Sequence, residues 1–206
     1  MLVRSKQQCL DLPPKHRLSH PIVLPPGEAE LWDCRLQEVV GRYRQRAAQG
    51  LVRSDAEALA VFTALRQMGS QAKVAAVAAL VADLMSQGEA VVVFTAFVAT
   101  ARALVAVLAG AGYTAVALTG AVPAGRRQRL VDAFQAGSTQ ALIATYGTGG
   151  LGFTLHRARH VVLVERPWTP GEAEQAEDRC HRIGMGSSLT SHWIQLGAAE
   201  IGRAHV

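Results

Sequence analysis

From Gly88 onward, short continuous apolar runs alternate with stretches that carry apolar residues at helical spacing. Runs such as VVVF and VVLV are typical of strands buried on both faces, because no polar residue alternates with the apolar ones. Strands that alternate with helices indicate an α/β fold, a parallel sheet covered by helices on both faces. The pattern predicts strands over 90–95, 114–118, 140–145, 160–165 and 191–196, and helices over 99–109, 124–135 and 171–183.

The chain before Gly88 has a helical pattern instead. Its apolar residues recur at helical spacing, and Ser54 with Glu57 forms a capping-box signature. We expect a break in this helical part at Met68, Gly69 and Ser70. Upstream, paired prolines bracket a short apolar run, where at most one strand can form. The predicted elements are this strand, over 20–24, and helices over 28–49, 54–66 and 72–86.

These patterns divide the chain into a connector, a helical segment and an α/β lobe, followed by a short tail. The tail, EIGRAHV, fits no element and resembles the translation of a common sequencing-library adapter, so we expect it to be non-native. The predicted boundaries are 1–28 for the connector, 29–87 for the helical segment, 88–199 for the lobe and 200–206 for the tail.

Composition and charge narrow the class of protein. Of the 206 residues, 50% are hydrophobic and 18% are charged, which is typical of a globular chain with one sizeable core. Charged and polar residues interrupt every long apolar run, so we predict no membrane span. The N-terminus lacks a signal-peptide pattern, so we expect a cytoplasmic protein, nucleoid-associated if the source is bacterial.

The net charge of +5 favours a polyanionic partner only modestly. The three cysteines, Cys9, Cys34 and Cys180, lie far apart without CxxC spacing. We expect them to be reduced and structural, and we predict no metal site. His181 lies in a candidate motif, whereas His156, His160 and His192 are expected to be structural or exposed.

Two arginines in the predicted helix 171–183 are candidates for phosphate binding. Gln175, Arg179 and Arg182 are separated by four and three residues, so they would share one helical face. Guanidinium groups match phosphate oxygens bidentately and are always charged. The alternative is a structural ion pair, because Asp178 lies four residues before Arg182.

A glycine-rich turn, Gly147 to Gly152, follows the predicted strand 140–145. Such a turn lets backbone N–H groups approach a phosphate closely, although it is as often a tight turn without a ligand. No GxxxxGK[ST] sequence occurs in the chain. We therefore predict that the chain has no phosphate-binding P-loop of its own.

Five segments of the α/β lobe stand in a fixed order along the chain: VVVFTAF (91–97), LTGAVPAGRRQRLVDAF (118–134), ATYGTGGLGFTL (144–155), VVLVERPWTP (161–170) and QAEDRCHRIGM (175–185). Read in that order, they resemble the successive motifs of the C-terminal lobe of Swi/Snf-type helicase-like ATPases, which are superfamily 2 DNA translocases. LRQMGSQAK and the N-terminal MLVRSKQQCLDLPPKHR are more loosely similar to the helical insertion of that family and to the segment that enters the lobe.

The resemblance implies a RecA-like lobe that acts against an N-terminal RecA-like lobe, with double-stranded DNA across both and ATP in the cleft. Mg²⁺ and the phosphates would be held mainly by that N-terminal lobe, so the chain would be an inactive fragment when alone and is expected to be a monomer. By position, the resemblance assigns Arg179 and Arg182 as arginine fingers, Gln175, Gly149 and Gly150 to the nucleotide cleft, Thr95, Gly120, Arg127, Thr145 and Thr148 to DNA-contacting motifs, and Trp168 to coupling of hydrolysis with strand movement.

Some positions depart from the family pattern. The family often has a basic residue at Gly147, an aspartate at Thr119, an asparagine at Thr169 and a glutamine at Met185. These departures put individual DNA and cleft contacts in doubt. They leave the assignment of the lobe intact.

The resemblance implies that the chain is part of an ATP-dependent double-stranded-DNA translocase. One alternative is the C-terminal lobe of an RNA helicase, which usually carries a further arginine soon after the HRIG core, where this chain has Met185, Gly186, Ser187 and Ser188. Another is a non-catalytic DNA-binding or interaction module.

Overall fold

A computed structural model describes residues 13–52, 55–149, 152–182 and 187–197. The predictions for Gly150, for the tail 200–206 and for the first part of the connector lie outside the described residues.

The described chain contains one six-stranded sheet with helices packed on both faces. The strand order is β1-β6-β5-β2-β4-β3, and every neighbouring pair is parallel. This confirms the predicted α/β class. The elements are β1 (Lys15–Ile22), α1 (Pro26–Ala48), α2 (Asp55–Ala72), α3 (Val74–Ser86), β2 (Val91–Thr95), α4 (Val98–Gly110), β3 (Ala115–Leu118), α5 (Ala124–Gln135), β4 (Ala141–Thr145), α6 (Tyr146–Gly149), β5 (His160–Leu163), α7 (Pro170–Glu177) and β6 (Leu189–Leu196).

The continuous apolar strands supply both cores at once. In β2, Val92 and Phe94 face a cluster that includes residues of α5 and α7, whereas Val91 and Val93 face a cluster that includes residues of α3 and α4. All four side chains are fully buried. Because successive residues of a strand point to opposite faces, a sheet covered on both sides requires apolar residues at every position.

Two helix predictions are wrong at their ends. The expected break at residues 68–70 does not occur, and α2 continues to Ala72. Ser70 is buried there, and its hydroxyl bonds to the Glu165 carboxylate and to Thr100. These hydrogen bonds favour the helical position of Ser70, because a buried hydroxyl group needs hydrogen-bond partners. The predicted helix 171–183 ends at Glu177, as α7.

The predicted connector contributes the edge strand β1. It pairs with β6 along its whole length, from Lys15 beside Leu189 to Ile22 beside Leu196. The predicted strand 20–24 therefore captured only the end of the observed one.

Helix α1 lies outside the core, with no buried residue, whereas α3 buries Val77, Val81 and Leu84. Among the described residues no single helix is long and apolar enough to cross a membrane, although α2 and α3, bent by 47°, meet the length and composition criteria together. Cys34 and Cys180 are free thiols, and Cys180 is buried.

Candidate functional site

The sheet brings several of the predicted site residues to one edge. Because the strands are parallel, their carboxyl ends meet at the same side, which is where ligands bind in folds of this class. Thr95 ends β2 and Thr145 ends β4, and the two residues are register partners on neighbouring strands. The loop that carries Trp168 follows β5, which pairs with β2 on its other side.

Thr95 is fully buried, and its hydroxyl group has partners within the protein. The hydroxyl donates to Glu165 Oε1 at 3.0 Å and accepts from the N–H of Phe97 at 3.2 Å. The other carboxylate oxygen of Glu165 accepts from the N–H of Ala96 at 2.9 Å. Thr95 thus fixes the turn after β2, and its predicted contact with DNA stays a prediction.

Glu165 is a residue that sequence reasoning missed. It is 5% exposed and receives hydrogen bonds from Thr95 and Ala96 at the end of β2 and from Ser70 on α2. A signal was available, since a carboxylate that ends the apolar run VVLV must find donors if the strand is buried.

The predicted glycine-rich turn begins with the short helix α6. Thr145 and Thr148 are both buried, and their hydroxyl groups are 2.8 Å apart. The phenolic hydroxyl of Tyr146 donates to the Glu165 carbonyl at 2.6 Å, and burial raises the pKa of this phenol well above its usual value. Gly149 ends α6.

Gly120 and Arg127 lie together at the end of β3. Arg127 Nη2 donates to the Gly120 carbonyl at 3.0 Å, and Arg127 Nε donates to the Val122 carbonyl at 2.7 Å. The guanidinium of Arg127 therefore holds the loop between β3 and α5. Gly120 itself is exposed, and a Cβ atom added there would meet nothing within 4 Å.

Trp168 is 59% exposed and lies under an arginine from the helical segment. The guanidinium carbon of Arg66 is 4.3 Å from the Trp168 ring centroid, within the range of a cation–π interaction. Arg66 Nη2 also donates to the Arg166 carbonyl at 2.6 Å. Arg66 was not identified from the sequence, because no spacing rule links residues 100 positions apart.

Arg179 and Arg182 lie beyond the end of α7, so they do not share a helical face with Gln175, which is exposed on α7. The Arg179 carbonyl accepts from the N–H of Leu155 at 2.8 Å, and Arg182 Nη1 donates to Thr154 Oγ1 at 2.8 Å. The structure therefore places both arginines against the 154–155 segment, which follows the glycine-rich turn.

Asp178 has a partner that the helix spacing did not predict. Its carboxylate accepts from Lys15 Nζ, on β1, at 3.3 Å. The motif histidine, His181, is also tied to the start of the described chain, with its Nε2 2.6 Å from the Pro13 carbonyl.

The carboxylate of Glu177 anchors the end of α7 to β1 and β6. Glu177 is fully buried. Its Oε2 atom lies 2.7 Å from Arg17 Nη2 and 3.1 Å from Lys15 Nζ. The indole N–H of Trp193 donates to Oε1 at 3.2 Å. Burial alone would raise the pKa of Glu177, but the hydrogen bond from Arg17, together with the smaller contributions of Ser191 and Lys15, outweighs burial, and the pKa is lowered.

Comparison with known proteins identifies related chains. Residues 72–184 match the family described as the helicase conserved C-terminal domain. The DNA annealing helicase and endonuclease ZRANB3 of Mus musculus is 29% identical over 197 residues, which cover 94% of this chain and 18% of that protein. The SWI/SNF-related matrix-associated actin-dependent regulator of chromatin subfamily A member 1 of Mus musculus is 34% identical over 120 residues, 57% of this chain and 12% of that protein.

The chain thus spans less than a fifth of the length of these relatives. Among solved structures, the C-terminal part of the Fun30 ATPase domain superposes with a TM-score of 0.70 at 17% identity, covering 91% of this chain and 87% of that one. The Sulfolobus solfataricus SWI2/SNF2 ATPase core in complex with dsDNA superposes with a TM-score of 0.71 at 19% identity, covering 90% and 42%. These structures share the fold of the chain.

Proposed function

Because the chain belongs to the family of the helicase conserved C-terminal domain, among the Swi/Snf-type helicase-like ATPases, we propose that it forms the C-terminal lobe of an ATP-dependent double-stranded-DNA translocase. In the complete protein this lobe would close on an N-terminal RecA-like lobe, with ATP between the two. We expect this protein to act as a monomer, in the cytoplasm or on the nucleoid.

The observation that carries this proposal is the fixed placement of the segment with Arg179 and Arg182. Leu155 bonds the Arg179 carbonyl, and Arg17 and Lys15 anchor Glu177 just before it. Because the segment is held from two sides, little free energy is needed to reorganise it when a charged ligand binds. The Arg182 side chain bonds to a neutral hydroxyl, so its charge is available to complement an anion.

We propose that Arg179 and Arg182 act as arginine fingers toward the γ-phosphate of ATP. Guanidinium groups fit this role because they stay charged and spread two or more donors over phosphate oxygens. The chain lacks the P-loop lysine. The N-terminal lobe would therefore hold Mg²⁺ and most of the triphosphate, with Gln175 and the Gly149–Gly150 pair at the border of the cleft.

We also propose that duplex DNA lies across the carboxyl edge of the sheet. The hydroxyl groups of Thr95, Thr145 and Thr148 are buried, so we expect them to shape this edge, while exposed glycines admit the phosphate backbone. Gly120 and Gly147 are both exposed, with open space where a side chain would stand. Contacts of this kind give affinity without sequence information.

A charge placed at Gly147 tests the DNA surface. Gly147→Glu and Gly147→Gln add side chains of equal size into open space on α6, and only the first adds a negative charge. We expect Gly147→Glu to weaken binding of a fluorescent duplex by about 3- to 10-fold at low salt, since it repels phosphate, and Gly147→Gln to stay near the wild-type affinity.

Fluorescence anisotropy with duplex DNA and with single-stranded RNA of equal length gives the comparison. Preference for RNA would support an RNA helicase lobe instead. Equal affinities of the two Gly147 variants, or no binding of either nucleic acid by the wild-type chain, would contradict the proposed DNA surface.

A further inference from the structure

One face of α2, continued into the residue before α3, follows the end of β5 residue by residue. Arg66, Ser70 and Lys73 are separated by four and three positions, so they lie on one side of the helix. Each bonds to a different one of three consecutive residues in the strand exit. Lys73 Nζ donates to the Val164 carbonyl at 3.2 Å, Ser70 Oγ donates to the Glu165 carboxylate, and Arg66 Nη2 donates to the Arg166 carbonyl at 2.6 Å.

The three contacts differ in burial, and we expect the buried contacts to be more rigid than the exposed one. Lys73 is 4% exposed and Ser70 is fully buried, whereas the Arg66 end reaches the surface. Ser70 Oγ lies 2.6 Å from Thr100 Oγ1 on α4, and Thr95 bonds to the same carboxylate of Glu165. The buried part therefore joins α2 to the exits of β2 and β5 as a unit.

Arg66 extends this connection to Trp168. Its guanidinium lies over the indole ring at 4.3 Å while it bonds to the Arg166 carbonyl, so one side chain fixes both ends of the 166–168 segment. A ring that is 59% exposed would otherwise have few contacts to set its orientation. Thr169, the next residue, caps α7 by accepting from the N–H of Glu172 at 3.4 Å.

We infer that Arg66 is a positioning residue for Trp168, and that the face formed by Arg66, Ser70 and Lys73 links the helical segment to the carboxyl edge of the sheet. A displacement of α2 changes the orientation of Trp168 and the start of α7. This inference rests on the proposed function for its consequence, since the same edge is the proposed DNA surface, but the contact itself can be tested without DNA or ATP.

The test uses the full chain labelled with 5-fluorotryptophan. The chain has three tryptophans, Trp32, Trp168 and Trp193, and each ¹⁹F resonance is assigned by its Trp→Phe variant. We compare Arg66→Ala with Arg66→Lys, which keeps a cation but loses the planar fork. Arg102→Ala, which removes an exposed arginine from α4, is the matched control.

Arg66→Ala is expected to shift and sharpen the Trp168 resonance, because the ring loses its stacking partner and rotates more freely. Trp193 is expected to shift less than Trp168, because it is linked to Arg66 only through Arg166, whose guanidinium carbon lies 5.6 Å from the Trp193 ring centroid. Arg66→Lys gives a smaller shift of Trp168 in the same direction, and Arg102→Ala gives none. An unchanged Trp168 resonance in Arg66→Ala overturns the inference, and so does an equal shift of Trp193, which would indicate a general loss of structure. The Arg66→Lys comparison decides the matter if Arg66→Ala does not fold.

Failure of this inference is distinguishable from failure of the proposed function. If the wild-type chain binds no duplex DNA while Arg66→Ala still shifts Trp168, the DNA surface is wrong and the positioning role stands. If the wild-type chain binds duplex DNA while Arg66→Ala leaves the Trp168 resonance unchanged, the positioning role is wrong.

Discussion

Three histidines from neighbouring strands form a hydrogen-bonded row across one face of the sheet. His192, on β6, has its Nδ1 2.8 Å from His20 Nε2 on β1 and its Nε2 2.9 Å from His160 Nδ1 on β5. The sequence predicts His160 and His192 to be structural or exposed, and the structure places both rings in hydrogen bonds between strands. Their contact with His20 had no signal in the sequence, because it depends on which strands are neighbours.

This row makes the stability of the protein sensitive to acid. Burial, followed by the neighbouring His160 and His20, lowers the pKa of His192 from 6.5 to about 4. Between these values the unfolded chain takes up a proton that the folded chain does not, so the free energy of unfolding falls as the pH drops through this window. The loss is on the order of 3 kcal/mol at pH 4.

Urea unfolding at pH 7 and at pH 4 measures this loss. His192→Gln, which cannot titrate, is expected to lose less stability between the two pH values than the wild type. His16→Gln, on the exposed part of β1, serves as the control and should keep the wild-type pH dependence. The same pH dependence in His192→Gln and the wild type would show that another group governs the effect.

At the scale of elements, β1 is held to α7 by charge as well as by the sheet. Arg17 and Lys15 both contact the buried carboxylate of Glu177, although they lie more than 150 positions before it in the chain. The amphipathic pattern over 171–183, which predicts a longer helix than α7, does not reveal this contact. The pattern is local, whereas the bonds at Glu177 and Asp178 come from a distant strand.

We predict that Glu177→Gln lowers the free energy of unfolding by about 2 kcal/mol, because it leaves two cations at a site that has lost its charge. Glu174→Gln is the matched control. Its side chain is 66% exposed, and its Oε1 atom is as far as 4.0 Å from Arg17 Nη2. We therefore expect the free energy of unfolding to change by less than about 0.5 kcal/mol. Urea unfolding at pH 7 measures both variants, and similar values for the two would contradict the anchoring role of Glu177.

At the scale of the whole molecule, most of the sheet could be predicted from the sequence. The runs VVVF and VVLV mark β2 and β5, and the predicted helix 124–135 coincides with α5. Continuous apolar runs are strong signals because both faces of the sheet are covered. The place of β1 beside β6 could not be predicted, since its pattern is short, is flanked by prolines and is mostly exposed.

The candidate site was less predictable than the fold. Motif resemblance singles out Thr95 and Trp168, which the structure places at the carboxyl edge of the sheet, but it does not reveal that the Thr95 hydroxyl is buried or that Trp168 lies under Arg66. Those facts depend on contacts with Glu165 and with α2, which are distant in sequence.

Arg179 and Arg182 are proposed to complete an ATP site whose other half belongs to an N-terminal lobe. Steady-state ATP hydrolysis with saturating duplex DNA tests it, in a protein that carries this chain joined to its N-terminal RecA-like lobe. Arg179→Ala and Arg182→Ala are each expected to lower turnover on the order of 10³-fold while nucleotide binding is largely retained. Arg102→Ala is expected to stay within about twofold of the wild type. The chain alone is expected to hydrolyse no ATP; turnover that is unchanged in both finger variants, or DNA-stimulated hydrolysis by the chain alone, would contradict the account.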